Sequence, residues 1–319
     1  MPQETMKSGI NYPWASFQGR PNYGCDFGVN IWGSHTGVAV NTAEVAHDFD
    51  GMAAAGFEVA RWFVFTDGRG GIRFDSAGLP ACLADGFFED MDAAIEIAGV
   101  RQVQLCLVLF DFLWMKGASL DGSSYVPNPE VLASGEGQAR LFANVIEPFL
   151  ERYGASPALH SIDVINEPDW VTEGLEFHRP WWPGRARPNS TRPFARNDLR
   201  ALVSGVAARV HSRSGTLVTV GGAKVKNVTE WDDPAYGLDF IQVHSYPDVR
   251  HPHRDRNLIG GTGADLAVSR PVLIGEFPAN GSHDFLALAR DGGYLGAWPW
   301  SFKGHDEIGR WRGILSDFT

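Results

Sequence analysis

Two glutamates stand at the ends of matching apolar runs. In Ile162-Asp163-Val164-Ile165-Asn166-Glu167-Pro168-Asp169, β-branched residues give way to a polar pair and then to a proline. The run reads as a buried strand. Pro168 stops it, because proline has no N–H for a sheet ladder and presses the preceding residue toward extended backbone. Val272-Leu273-Ile274-Gly275-Glu276-Phe277-Pro278 repeats the form. Taken singly, such a glutamate is equally well explained as a solvated strand end. Two of them at C-terminal strand tips are what paired carboxylate chemistry needs: one group that gives and recovers a proton, and one that stays ionised to attack.

The composition is that of an ordinary globular chain. Of its 319 residues 44% are hydrophobic and 20% charged, enough for one domain of (β/α)-barrel size. A net charge of −11 and a pI near 5.3 argue against nucleic acid or an anionic membrane as partner. Eleven tryptophans exceed what a core of this size needs, and their flat faces suit the C–H faces of sugar rings. Cys25, Cys82 and Cys106 are odd in number and lack C-x-x-C spacing, so neither a disulfide framework nor a zinc site is expected. No run reaches transmembrane length, and the first residues lack the apolar core of a signal peptide. As written, the sequence reads as cytoplasmic, and a secreted chain trimmed of its signal would read the same.

The elements that must position the glutamates alternate strand and helix along the whole chain, with no repeat or linker dividing it, so one domain over residues 1–319 is expected. The first strand is placed at Ser8 to Trp14 in preference to Phe27 to Trp32, since Ala15 to Val40 has the Gly, Asn and aromatic content of a long functional loop. Asn41 and Glu44 form a capping-box-like helix start, followed by a second strand over Phe57 to Phe65 that contains Arg61. An arginine in an apolar strand must meet a carboxylate. Asp85 reads as the cap of a helix with Phe88, Met91, Ile95 and Ala98 on its buried face. The third strand, Gln102 to Phe110, delivers Asp111. A helix from Ser134 to Tyr153 precedes the strand of Glu167, and a helix starts at Asn197. Between them lies a loop with Trp170, Trp181 and Trp182, expected to act as a wall or lid. Leu217 to Lys224 is the fifth strand, with Trp231 after it as a cleft candidate. Phe240 to Pro247 is the sixth, the seventh ends at Glu276, and Tyr294 to Phe302 is the eighth. The helices after strands five and six are the least well marked, and a short last helix falls near Glu307 to Phe318. The sum is a single (β/α)8 TIM barrel with long βα loops, whose functional residues belong at the C-terminal strand ends.

One mouth of such a barrel would gather Arg61, Asp111, Asn166, Glu167, His244, Tyr246, Glu276 and Trp300. In this order the chain resembles the clan A glycoside hydrolases, family 5 in particular. The motifs are Asn166-Glu167-Pro168 after strand four, His244-Ser245-Tyr246 after strand six, Glu276 after strand seven, Arg61 in strand two and Trp300-Ser301-Phe302 closing strand eight. The resemblance implies a retaining β-glycosidase without metal or organic cofactor, acting on a β-linked carbohydrate. Glu167 would be its acid/base and Glu276 its nucleophile. Arg61, Asn166, His244, Tyr246, Trp300, Asp111 and Trp32 would contact substrate or tune the pair, and the Trp300–Ser301 peptide would be cis. The His244-Ser245-Tyr246-Pro247-Asp248 run with Arg61-Trp62 leans toward mannan-cleaving members. Phe110-Asp111-Phe112 departs from the family by lacking a histidine after strand three.

Other candidates read more plainly. His251, His253 and Asp255 suit a loop rim better than a metal site, given the intervening proline and flanking arginines. Trp298 shares the facing of Trp300 but lies deeper, as core filling. A transglycosidase would use the same two glutamates, and a non-catalytic sugar-binding barrel would have no use for their tuning groups.

Overall fold

The computed structural model describes residues 7–116, 125–175, 193–246, 263–278, 287 and 289–303. Eight strands form its centre: β1 (Gly9–Asn11), β2 (Val59–Phe63), β3 (Gln104–Asp111), β4 (Leu159–Asn166), β5 (Leu217–Gly222), β6 (Ile241–His244), β7 (Val272–Pro278) and β8 (Ala297–Trp300). They lie in sequence order in one sheet, every neighbouring pair parallel. Between β8 and β1 single bonds replace a ladder. Asn11 Nδ2 donates to the carbonyls of Trp298 (3.2 Å) and Pro299 (3.1 Å), and Phe302 N donates to Asn11 O (2.9 Å). The fold is the expected (β/α)8 barrel, with its first strand inside the preferred Ser8 to Trp14 run. Phe27 to Trp32 is loop, touching other backbone through the Asn30–Gly70 bridge.

Helices seal the outside of the sheet because their apolar residues recur at helical spacing. Helix α1 (Thr42–Ala54) buries Val45, Phe49 and Met52, and α2 (Phe87–Arg101) buries Phe87, Met91, Ala94 and Ala98. The α2 stripe is rotated from the expected one. Phe88 and Ile95 are only partly buried, and Asp90 turns inward to accept from the N–H groups of Gly28 (2.7 Å) and Ala39 (2.7 Å). The helix after β3 runs through Gly135–Leu141, a π-helical stretch Phe142–Ile146 and Glu147–Tyr153. The wide turn sits just before Pro148, which lacks the N–H a regular helix would use. Helix α3 (Arg196–His211) presents Leu199, Leu202, Val203, Val206 and Val210 to the sheet. After β5 come only short turns, Val225–Asn227, Val228–Trp231 and Pro234–Tyr236, which is why periodicity marked no helix there.

Two helix starts differ from expectation. Asn41 occupies the cap position of α1 but makes no cap bond; its Nδ2 turns back to the carbonyls of Thr36 (3.2 Å) and Gly37 (2.9 Å). Asp85 does not cap α2, whose cap position is Gly86 at φ 77°, and pairs with Arg73 instead. Trp231 is wholly buried core, not a cleft residue. Among the described residues no helix is long and apolar enough to cross a membrane. Trp181, Trp182, Pro247, His251, His253, Asp255 and the last expected helix lie outside the described residues.

Candidate active site

Strand β2 carries Arg61 into the barrel with no exposed surface. A guanidinium there is tolerable only if its five N–H donors find acceptors. Nε and Nη2 donate to Asp163 Oδ2 (3.0 and 2.8 Å), and Nη2 also donates to Asn166 Oδ1 (2.8 Å). Nη1 donates to Asn11 Oδ1 (2.9 Å) and Glu276 Oε1 (2.6 Å). The carboxylate demanded by the sequence is thus two carboxylates on two strands.

Strict alternation would put Asp163 and Asn166 on opposite faces of β4. The β4–β5 register breaks between them, Asp163 opposing Thr219 and Asn166 opposing Gly221, so both reach Arg61. A second break lets His244 oppose Glu276, and a third lies between Ile274 and Phe277. Irregular ladders near the strand ends re-aim the polar side chains toward one point. Gly221 leaves room for them: a Cβ there would lie 2.9 Å from Arg61 Nη2 and 2.9 Å from His244 Nε2.

Glu276 is 4% exposed. Its Oε1 accepts from Arg61, and its Oε2 accepts from the Tyr246 hydroxyl at 2.8 Å. Burial lifts its carboxyl above the ordinary range; the Arg61 charge pulls it down, Glu167 pushes it up, and the Tyr246 bond lowers it. Glu167 follows β4 at φ 48°, ψ 43°, not in the extended form expected before Pro168. Its N–H donates to Gly221 O (2.7 Å), and Trp170 N returns to its carbonyl (3.2 Å), so the chain turns at once into Pro168–Trp170. The Glu167 Oε1 atom lies 3.0 Å from His244 Nδ1, and Oε2 accepts from Trp170 Nε1 at 2.8 Å. Burial raises this carboxyl as well, opposed by the Trp170 bond and then by Lys224, Arg61 and Lys116. Burial pushes His244 down to about 4, which leaves a neutral imidazole between the two acids.

One carboxylate oxygen of each glutamate and a ring nitrogen of His244 lie within 4.8 Å of one another. Three such atoms could in principle hold a cation. The Glu276 oxygens already face a fixed guanidinium and a phenol donor, so a metal ion would meet a positive charge 2.6 Å from Oε1. With its oxygens already held by a guanidinium and a phenol, the pair suits hydrogen-bonded carboxylates better than metal binding.

Of the remaining sequence candidates, Asp111 is 4% exposed and accepts from Asn166 Nδ2 (2.8 Å) and Leu113 N (2.9 Å), so it orients Asn166 from behind. Trp300 is half-buried with its ring edge-on to Trp14 and Phe63, and the Trp300–Ser301 peptide is cis. Trp32 is 55% exposed, and its ring meets Tyr125 and the Arg69 guanidinium; nothing places it beside the glutamates. The structure also brings in residues the sequence reading passed over. Asn11, Asp163 and Gln242 are fully buried polar groups in apolar strands, and Gln242 Nε2 donates to Asp163 Oδ2 (3.0 Å). The rule that singled out Arg61, that a polar group in a buried strand needs partners, would have found all three.

No family model matches the sequence, and no curated protein matches it. Solved structures do. The chain is similar to a β-1,4-mannanase from the common sea hare Aplysia kurodai, at 18% identity and a TM-score of 0.77, covering 98% of this chain and 93% of that one. It is similar to a β-mannanase from the blue mussel Mytilus edulis, at 19% identity and a TM-score of 0.75, covering 97% and 90%. An exo-β-1,4-mannosidase from Opitutaceae bacterium strain TAV5 matches at 18% identity and a TM-score of 0.62, covering 99% of this chain and 60% of that one. At such identities the likeness is one of fold: the (β/α)8 barrel of β-mannanases and related clan A glycoside hydrolases, the group its motifs resemble.

Proposed function

We propose that the protein is a retaining β-glycosidase, with Glu276 as nucleophile, Glu167 as acid/base and a β-mannoside or β-mannan as the favoured substrate. The observation that carries this reading is the short carboxyl separation, within 4.8 Å between one oxygen of each glutamate. Retaining enzymes hold the pair about 5–5.5 Å apart and inverting ones about 6.5–9.5 Å, to seat a water. The division of labour follows from charge. The Arg61 guanidinium is shared by Asp163 and Glu276, so the buried group already carries one net negative charge when both acids are ionised. A second charge on Glu167 would meet that excess with a neutral His244 between them, which favours a proton on Glu167.

In the first step a Glu276 oxygen bonds to the anomeric carbon while the bond to the leaving oxygen breaks, and that oxygen takes the Glu167 proton. Water then attacks the glycosyl ester, gives its proton to Glu167, and frees Glu276. Asn166, fixed by Arg61 and Asp111, is placed to bond the 2-hydroxyl, and Trp300 supplies an apolar face for the ring. The mannan preference rests on the named mannanases and the mannosidase together with the His244-Ser245-Tyr246 run. The test is proton NMR of the anomeric region during the first minutes of hydrolysis, across β-manno-, gluco- and xylo-oligosaccharides. The expected first product is the β-anomer, from manno-oligosaccharides before the others; an initial α-anomer would refute the mechanism.

A further inference from the structure

Glu167 has two oxygens in different company. Oε1 lies 3.0 Å from His244 Nδ1, and the same nitrogen lies 3.4 Å from Glu276 Oε1, so this oxygen faces the nucleophile. Oε2 faces the other way and accepts from Trp170 Nε1 at 2.8 Å. An indole N–H can only donate, and a carbonyl-type oxygen is a better acceptor than one bearing a proton. We propose that Trp170 is a positioning residue for Glu167: its N–H keeps Oε2 as the acceptor and so confines the catalytic proton to Oε1, on the side of the reacting carbon. The inference rests on the reading of Glu167 as proton donor and adds which atom carries the proton and what keeps it there.

The local backbone is built for this contact. The turn Pro168–Trp170 follows Glu167 directly, and Trp170 N donates to Glu167 O at 3.2 Å, so ring and carboxyl are held by the same short loop. Lys224 Nζ sits 4.5 Å over the indole ring, an electrostatic attraction that fixes its plane. The indole is 40% exposed, so its replacement does not open the core. Glu167 feels the charges of Lys224, Arg61 and Lys116, which favour its ionised form, and lies near Glu276, Asp111 and Asp169, which oppose it. Neutral His244 faces Oε1. His244 Nδ1 accepts from Oε1 only in the tautomer that carries its proton on Nε2, whereas the indole on Oε2 can only donate whatever that tautomer is.

The decisive variant is Trp170→Phe, which keeps a ring over Lys224 and removes the donor, with Trp170→Ala beside it. The readout is the titration of the Glu167 carboxyl by ¹³C NMR in protein labelled at the glutamate side-chain carboxyl, its signal assigned by loss in Glu167→Gln. Losing a donor to the ionised form raises the carboxyl's midpoint, by about one pH unit for one hydrogen bond to a charged group. In turnover, the alkaline limb of kcat/KM should move up with it. On oligosaccharides kcat should fall about tenfold in Trp170→Phe with KM changed less than about twofold, and activated aryl glycosides should lose less. Trp170→Ala should show the same titration shift and add a rise in KM. A Glu167 midpoint in Trp170→Phe that stays put or falls overturns the proposal. Should the unaltered protein turn over no β-glycoside, the functional reading fails, while the carboxyl titration still decides this one.

Discussion

At the N-terminal end of the barrel, Val59, Cys106, Phe240, Leu273 and Trp298 close on one another as a small apolar cluster of their own. At the other end the same strands bring together Asn11, Arg61, Asp163, Asn166, Gln242, His244 and Glu276, all nearly buried. The lower layer is held by area and shape. Gly9 is glycine because a Cβ would come within 2.4 Å of the Trp298 ring, and that indole donates to Lys7 O at 3.3 Å. A cavity of about 640 Å³ lies at this end, bounded by Lys7, His160, Phe240 and Trp298, and it carries no catalytic pair. Its histidine is pushed down to about 4 by burial and by Lys7. The upper layer is held by matching donors to acceptors around one guanidinium. One end tolerates any side chain of the right shape, whereas the other tolerates no missing partner.

The largest effects should come from the two glutamates and should differ in kind. On the proposed roles Glu276→Ala removes the group that forms the glycosyl ester, and turnover of every substrate should fall by at least about 10⁴-fold. Glu167→Ala should cost about 10²–10⁴-fold on sugars with poor leaving groups and far less on dinitrophenyl glycosides, whose departure needs no proton. Azide should then speed breakdown of the intermediate and yield the β-glycosyl azide. Identical responses of the two variants to leaving group and azide would show that the roles are wrongly divided.

A smaller pair of effects tests the contrast between the ends directly. Trp298→Ala leaves a hole in the lower layer and should cost about 3–5 kcal/mol in chemical denaturation. Arg61→Met leaves Asp163 and Glu276 without their shared cation and should cost a similar amount, about 3–5 kcal/mol. The expected difference is in chemistry: measured well below unfolding, Trp298→Ala keeps its kcat and Arg61→Met loses most of it. Equal losses of kcat would mean that the two layers act as one unit.

The same contrast explains what was legible in the sequence. Apolar periodicity depends on area, so the eight strands and the outer helices could be read from it, and Trp298 was correctly placed as core filling. Glu167 and Glu276 were visible because proline and glycine punctuate their strands. Asn11, Asp163 and Gln242 could have been marked as buried polar groups needing partners, but which partners they meet depended in part on ladder irregularity. No local signal says that β4 breaks register between Asp163 and Asn166, and without that break Asp163 would point away from Arg61. Nor did the sequence foretell the left-handed backbone of Glu167, which is fixed by the carbonyl of Gly221, a residue 54 positions away by 221 − 167. Helix caps misled at Asn41 and Asp85 because Asn41 turns its amide back to the carbonyls of Thr36 and Gly37 in the preceding turn, and Asp85 pairs with Arg73 across its hairpin.

The smallest expected effect concerns the outermost bond of the upper network. Tyr246 is 39% exposed, and its hydroxyl donates to Glu276 Oε2 at 2.8 Å. It is therefore the one donor on the nucleophile that can be removed without stranding a buried charge. The phenol itself is pushed far above its ordinary range, by burial and then by Glu276, so it acts as a donor throughout the working pH range. The sign follows from which form it favours. As the proposed nucleophile Glu276 would have to be ionised to attack, the Tyr246 bond lowers its carboxyl, and Arg61 remains on the other oxygen. Tyr246→Phe should therefore move the acidic limb of kcat/KM up by about one pH unit, with a rate loss of about tenfold on that limb that fades toward higher pH. The alkaline limb, which reports Glu167, should stay where it is. If the acidic limb moved down, or if the loss were the same at every pH, Tyr246 would be acting on the substrate and not on the charge of Glu276.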